Sequence, residues 1–145
     1  MKKVSNKKQT KTVLTNDLVG KGRSQAEELV IALIRLNFPK INIKRNDKSV
    51  LGRQEIDIHL VDYKIAIEVD GLSHFKNIYW DKRLEESQER DARKDKRLAE
   101  LGFILYRIDI SKMTKETLFK EIKQYMSETL LPKLKEDISN KTILL

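Results

Sequence analysis

Residues 54–61, QEIDIHLV, and 64–70, KIAIEVD, each alternate apolar and polar side chains, and only Asp62-Tyr63 separates them. A period of two is the pattern of a half-buried strand, and two such segments joined this tightly form an antiparallel hairpin. The hairpin constrains the chain more than any other stretch because it fixes a register. With Asp62 and Tyr63 as the turn, Val61 pairs with Lys64, Asp57 lies across from Glu68, and Glu55 lies across from Asp70. Ile56, Ile58 and Leu60 then share one face of the first strand, with Glu55, Asp57 and His59 on the other. In the second strand Ile65, Ile67 and Val69 are opposed by Ala66, Glu68 and Asp70, since successive residues point to opposite faces.

Directly opposed side chains have Cβ atoms about 5 Å apart, where like charges destabilise. Four carboxylates stacked in this way call for a cation among them. A hard divalent ion such as Mg²⁺, or Mn²⁺ in its place, suits the donors: it takes carboxylate and water oxygens and often uses one or two protein carboxylates plus substrate phosphate. A single carboxylate pair is more naturally read as part of a solvated sheet surface on which long side chains splay apart. Matching groups on other segments favour the ion.

The segment Asp81–Leu101 has helical periodicity and stops at Gly102, a suitable C-cap. Leu84 and Leu98 mark its core-facing stripe, and Gln88, Asp91 and Asp95 lie nearly on that stripe. An inward carboxylate is costly unless paired or coordinated, so Asp91 is either a ligand or the partner of Lys94 at i+3. Ser24 reads as a helix N-cap for QAEELVIALIRLNF, with Glu27 closing a capping box. Glu27 also shares a helix side with Val30, Ile31 and Ile34, so it could instead reach the sheet. His74 follows the Gly71 break at the end of the second strand, within reach of Glu68 and Asp70, and its pKa suits proton transfer near neutral pH.

KINIKRN reads as a further short strand, FILYRIDI as an apolar strand, and KETLFKEIKQYMSETLL as an amphipathic helix ending near Pro132. The order α-β-β-β-α-β with a C-terminal helix predicts an α/β fold, a mixed sheet of about four strands flanked by helices. That last helix offers a surface for a homodimer, although such a helix more often packs on its own sheet.

Formal net charge is +8, and residues 1–23 carry Lys2, Lys3, Lys7, Lys8, Lys11, Lys21 and Arg23 against Asp17 alone. The segment has few large apolar residues and no period, so it reads as a flexible basic arm preceding one domain, residues 24–145. Such an arm either binds nucleic-acid phosphates, with salt-dependent affinity, or serves as a solvated tail. The chain has no cysteine, which excludes thiolate metal sites, thiol catalysis and disulfides. Its longest apolar run, Leu29–Ile34, is far too short to span a bilayer, so no membrane partner and a soluble, cytoplasmic location are expected.

LGRQEIDIHLVDYKIAIEVDGLSHF, followed by Gln88 and Asp91 as Q-x-x-D, Leu98 and Gly102 as L-x-x-x-G, and ILYRID, resembles the PD-(D/E)XK nuclease superfamily. The similarity spans about Ser24 to Ile110 and is strongest to the branch of the very short patch repair endonuclease and related homing-type endonucleases. It implies a restriction-endonuclease-like fold and Mg²⁺-dependent hydrolysis of DNA phosphodiesters. It makes Asp57 the central metal-binding aspartate, Glu68 the second acid, Asp91 the helix acid, His74 the histidine after the strand and Glu27 the first-helix acid. The motif lysine would fall at position 70, where this chain has Asp70. By implication His74 activates water or protonates the leaving group, or Lys64 or Lys94 supplies the missing amine in space. Two other readings are a nucleic-acid-binding module on a nuclease fold without catalysis and a mismatch- or junction-specific repair nuclease.

Overall fold

The computed structural model describes residues 22–70 and 80–144. The elements in order are α1 (Gly22–Asn37), β1 (Ile43–Asp47), β2 (Ile56–Leu60), β3 (Ile65–Asp70), α2 (Trp80–Glu100), β4 (Ile104–Asp109), α3 (Leu118–Tyr125) and α4 (Leu131–Leu144), with a π-helical segment, Met126–Leu130, joining the last two. The four strands form one mixed sheet in the order β1-β2-β3-β4, antiparallel through β3 and parallel between β3 and β4. A parallel pair needs a long crossover, and α2 lies within that connection.

The hairpin register is the one read from the sequence. Ile58 pairs with Ile67, His59 with Ala66 and Leu60 with Ile65, which continues to Asp57 opposite Glu68. The turn is larger than two residues: Val61–Tyr63 form a 3-10 turn and Lys64 takes the left-handed conformation at φ +52°. On one side of the sheet Ile58, Leu60, Ile65, Ile67 and Val69 pack against Ala26, Val30, Ile31 and Ile34 of α1 and against the C-terminal helices. Leu118, Ile122, Met126, Leu130 and Leu134 are all buried in this core, so the apolar face of the last helices is used within the chain itself.

The other side carries a smaller cluster, Ile56, Ala66 and Leu98, with Val50, Leu51, Phe103 and Leu105 packed against it. Ile56 was expected beside Ile58 and Leu60. It packs instead with Ala66 and Leu98, opposite the point where β1 passes through the left-handed Asn46, φ +48°. Its neighbour Asp47 pairs with Ile56 and bonds His59 on that same side.

Two helix ends also differ from expectation. Ser24 lies inside α1, which begins at Gly22, so no capping box forms there. The C-terminal helix runs through Pro132 to Leu144 instead of stopping. Proline lacks an N–H and its ring clashes with the carbonyl four residues back; the π turn just before it, closed by Leu131 N–H donating to Met126 O, takes up that misfit without ending the helix. The end of α2 is as read: Gly102, at φ +86°, donates to Ala99 O, and Phe103 donates to Leu98 O, a Schellman closure that needs the left-handed glycine. No helix among the described residues is long and apolar enough to cross a membrane.

Candidate active site

Asp57 on β2 and Glu68 on β3 are 5 % and 4 % exposed. Where the paired residues end, their side chains take over from the ladder: the Asp57 amide donates to Glu68 Oε2 at 3.0 Å, and the Val69 amide donates to Asp57 Oδ2 at 3.0 Å. Each carboxylate is thus anchored to the backbone of the opposing strand, which fixes both without a flexible loop.

Lys94 of α2 reaches across and donates from Nζ to Glu68 Oε1. It is buried with Leu98, four residues further along the same helix. The Glu68 pKa is pushed up to about 7, by burial and by the charge of Asp57, with Lys94 acting in the opposite direction. The two carboxylates are buried side by side with their like charges opposed, and the Lys94 ammonium engages Glu68. The donors, two rigid carboxylates, fit a hard divalent ion that completes its shell with water and phosphate oxygens. Among the described residues no three acidic or histidine side chains converge as a ready-made cage; of those residues, Asp57 and Glu68 are placed to hold such an ion.

The other sequence candidates are placed differently. Asp91 is half-buried at the edge of the Lys94–Leu98 stripe, and Lys94, read as its partner, turns to Glu68 instead. Gln88 is exposed, so the stripe does not extend through it. Glu27 is 3 % exposed and faces the sheet, where Arg45 Nη2 donates to its Oε1 at 3.2 Å. Glu55 does not oppose Asp70: β2 starts one residue later, and Glu55 lies 3.9 Å from Lys48. The expected stack of four carboxylates is therefore a pair. Asp70 is held by Arg107 Nη1 at 2.8 and 3.1 Å. Lys64 donates to Leu101 O and is not the amine at Glu68. His74, Gly71 and the arm lysines Lys2, Lys3, Lys7, Lys8, Lys11 and Lys21 lie outside the described residues, and Arg23 falls on the first turn of α1.

Of the two lysines the sequence offered in place of the motif amine, Lys94 is the one at Glu68. Sequence reading passed over Arg107 and the His59–Asp47 pair. Arg107 was hidden in an apolar strand. His59 and Asp47 form a buried pair at 2.7 Å, with Phe103 5.2 Å from the imidazole. The His59 bond, helped by Ser49, holds the Asp47 carboxyl well below the usual range.

Comparison with protein-family models, with curated proteins and with solved structures returns no match to this chain.

Proposed function

We propose that the chain is a metal-dependent DNA endonuclease whose mixed sheet is arranged as in restriction-endonuclease-like proteins. The observation that carries this is the Asp57–Glu68–Lys94 centre: two opposed buried carboxylates with an ammonium donating to one of them. Mg²⁺ bound there would polarise the scissile phosphate and lower the pKa of a water nucleophile. Asp57 and Glu68 supply oxygen ligands at fixed positions, and their anchorage to Val69 and Asp57 amides means little reorganisation on loading. Lys94 replaces in space the amine that the sequence motif lacks at position 70, orienting water or steadying charge on a phosphate oxygen. The basic arm, Lys2 to Arg23, would track the DNA backbone. A homodimer pairing two centres would suit double-strand cutting.

The non-catalytic reading draws on one observation, the engagement of Asp70 by Arg107 at the motif position. The placement of Lys94 favours catalysis over it. The two separate in Lys94→Met, which keeps the stem and removes the charge. Single-turnover cleavage of supercoiled plasmid in Mg²⁺ is expected to fall roughly 10²–10⁴-fold, with DNA affinity by fluorescence anisotropy unchanged. Equal cleavage rates would remove Lys94 from the chemistry.

A further inference from the structure

Arg107 sits on β4 in register with Glu68, and its side chain is a quarter exposed. Its Nη2 and Nε donate to the two oxygens of Asp95 on α2, the latter at 3.4 Å, while Nη1 donates to both oxygens of Asp70. Burial opposes the guanidinium charge, and the two carboxylates outweigh it, raising its pKa above the ordinary value. We propose that Arg107 is a positioning residue for Lys94: by tying Asp95 of the helix to Asp70 of the sheet, it sets the α2 backbone where the Lys94 ammonium meets Glu68, and it holds the Asp70 carboxylate in a separate ion pair. The assignment deepens the nuclease reading and rests on it for its catalytic consequence.

Three features support it. Asp95 is the next residue after Lys94, so a restraint on one passes to the other through a single peptide unit. Among the described residues the apolar cluster under α2 is small, Ile56, Ala66 and Leu98 with Val50, Leu51, Phe103 and Leu105 packed against them, whereas the opposite side of the sheet holds the main core. A small apolar contact resists sliding and rotation of a helix poorly, and a directional ionic clamp supplies what it lacks. Finally, the planar fork of arginine holds two carboxylates at a fixed mutual geometry, which a lysine cannot do. Without the guanidinium, Asp70 and Asp95 would repel across the gap between helix and sheet.

The test compares wild type, Arg107→Gln, Arg107→Lys, Lys94→Met and Arg107→Gln/Lys94→Met. Amine labelling of the metal-free protein by acetic anhydride, read peptide by peptide in a mass spectrometer, reports access to Lys94 independently of activity. Arg107→Gln is expected to raise the labelling rate of Lys94 while Lys123 and Lys135 keep theirs, with Arg107→Lys intermediate. Plasmid cleavage by Arg107→Gln is expected to fall roughly 10²-fold, and adding Arg107→Gln to Lys94→Met should cost nothing more, since one acts through the other. Lys94 remaining protected in Arg107→Gln, labelling rising at all lysines together, or losses that multiply in the double variant would each overturn the assignment. Absence of cleavage by the wild type would overturn the catalytic consequence and the nuclease reading, and the labelling would still decide whether Arg107 places Lys94. If Arg107→Gln does not fold, Arg107→Lys carries the same comparison.

Discussion

Asp57→Asn is expected to abolish plasmid cleavage while leaving the fold intact. The amide oxygen can still accept the Val69 N–H that Asp57 Oδ2 accepts at 3.0 Å, so the strand junction survives. Replacing the carboxylate also relieves its repulsion of Glu68, one of the causes of the raised Glu68 pKa. The stability change should therefore be small, within about 1 kcal/mol. The chemical loss is of another size. An anionic ligand that helps hold the metal contributes several kcal/mol of charge stabilisation in the transition state, and each 1.36 kcal/mol is tenfold in rate, giving a fall of roughly 10³-fold or more. Urea melts and single-turnover cleavage on the same preparation check both halves. Substantial cleavage by a folded Asp57→Asn would show that the centre is not the active site.

The second large effect is on stability against pH. The Glu68 pKa is about 7 in the folded protein, above its ordinary value of 4.5. A raised acid favours folding while it is protonated. Its contribution is fully present below about pH 4.5 and is lost as pH rises through about 7. The loss is on the order of 3 kcal/mol. Glu68→Gln mimics the protonated acid at every pH. Its own cost as a neutral side chain beside Lys94 is nearly constant with pH. The difference in unfolding free energy between wild type and variant should therefore shift by most of that amount in the variant's favour between pH 5 and pH 8.5. Mg²⁺ at pH 8.5 should return stability to the wild type alone, because a ligand that binds only the folded state stabilises it by mass action. Parallel stability curves for the two proteins would contradict the assigned origin of the shift.

The hairpin was the legible part of this molecule. Its register follows from the short gap between two alternating segments, and the opposition of Asp57 and Glu68 follows from that register. The exceptions begin where the backbone leaves the regular pleat. Asn46 is in the left-handed region, the Asp47 that follows it bonds His59, and Ile56, paired with Asp47, packs with Ala66 and Leu98; alternation alone carries no sign of that. The approach of α2 to the sheet was less legible for a different reason. The expected stripe of Leu84, Gln88, Asp91, Asp95 and Leu98 and the observed burial of Lys94 beside Leu98 differ by a modest rotation of the helix. The hydrophobic pattern of a segment this charged constrains that rotation weakly. In the structure, charge pairing between elements adds to the small apolar cluster seen among the described residues. Glu68 engages Lys94, and Arg107 joins Asp95 to Asp70. Such pairs depend on which element lies beside which, and only the folded chain supplies that.

We propose that the Asp57–Glu68–Lys94 centre hydrolyses DNA with a divalent ion. Its most direct test is incubation of the wild-type protein with supercoiled plasmid in Mg²⁺, with a parallel sample containing excess EDTA and a third in which Mg²⁺ is restored. The expected result is conversion to nicked or linear plasmid with Mg²⁺, none with EDTA, and recovery on restoration. Plasmid that stays supercoiled in Mg²⁺ and in Mn²⁺, or cleavage that EDTA leaves untouched, would contradict it.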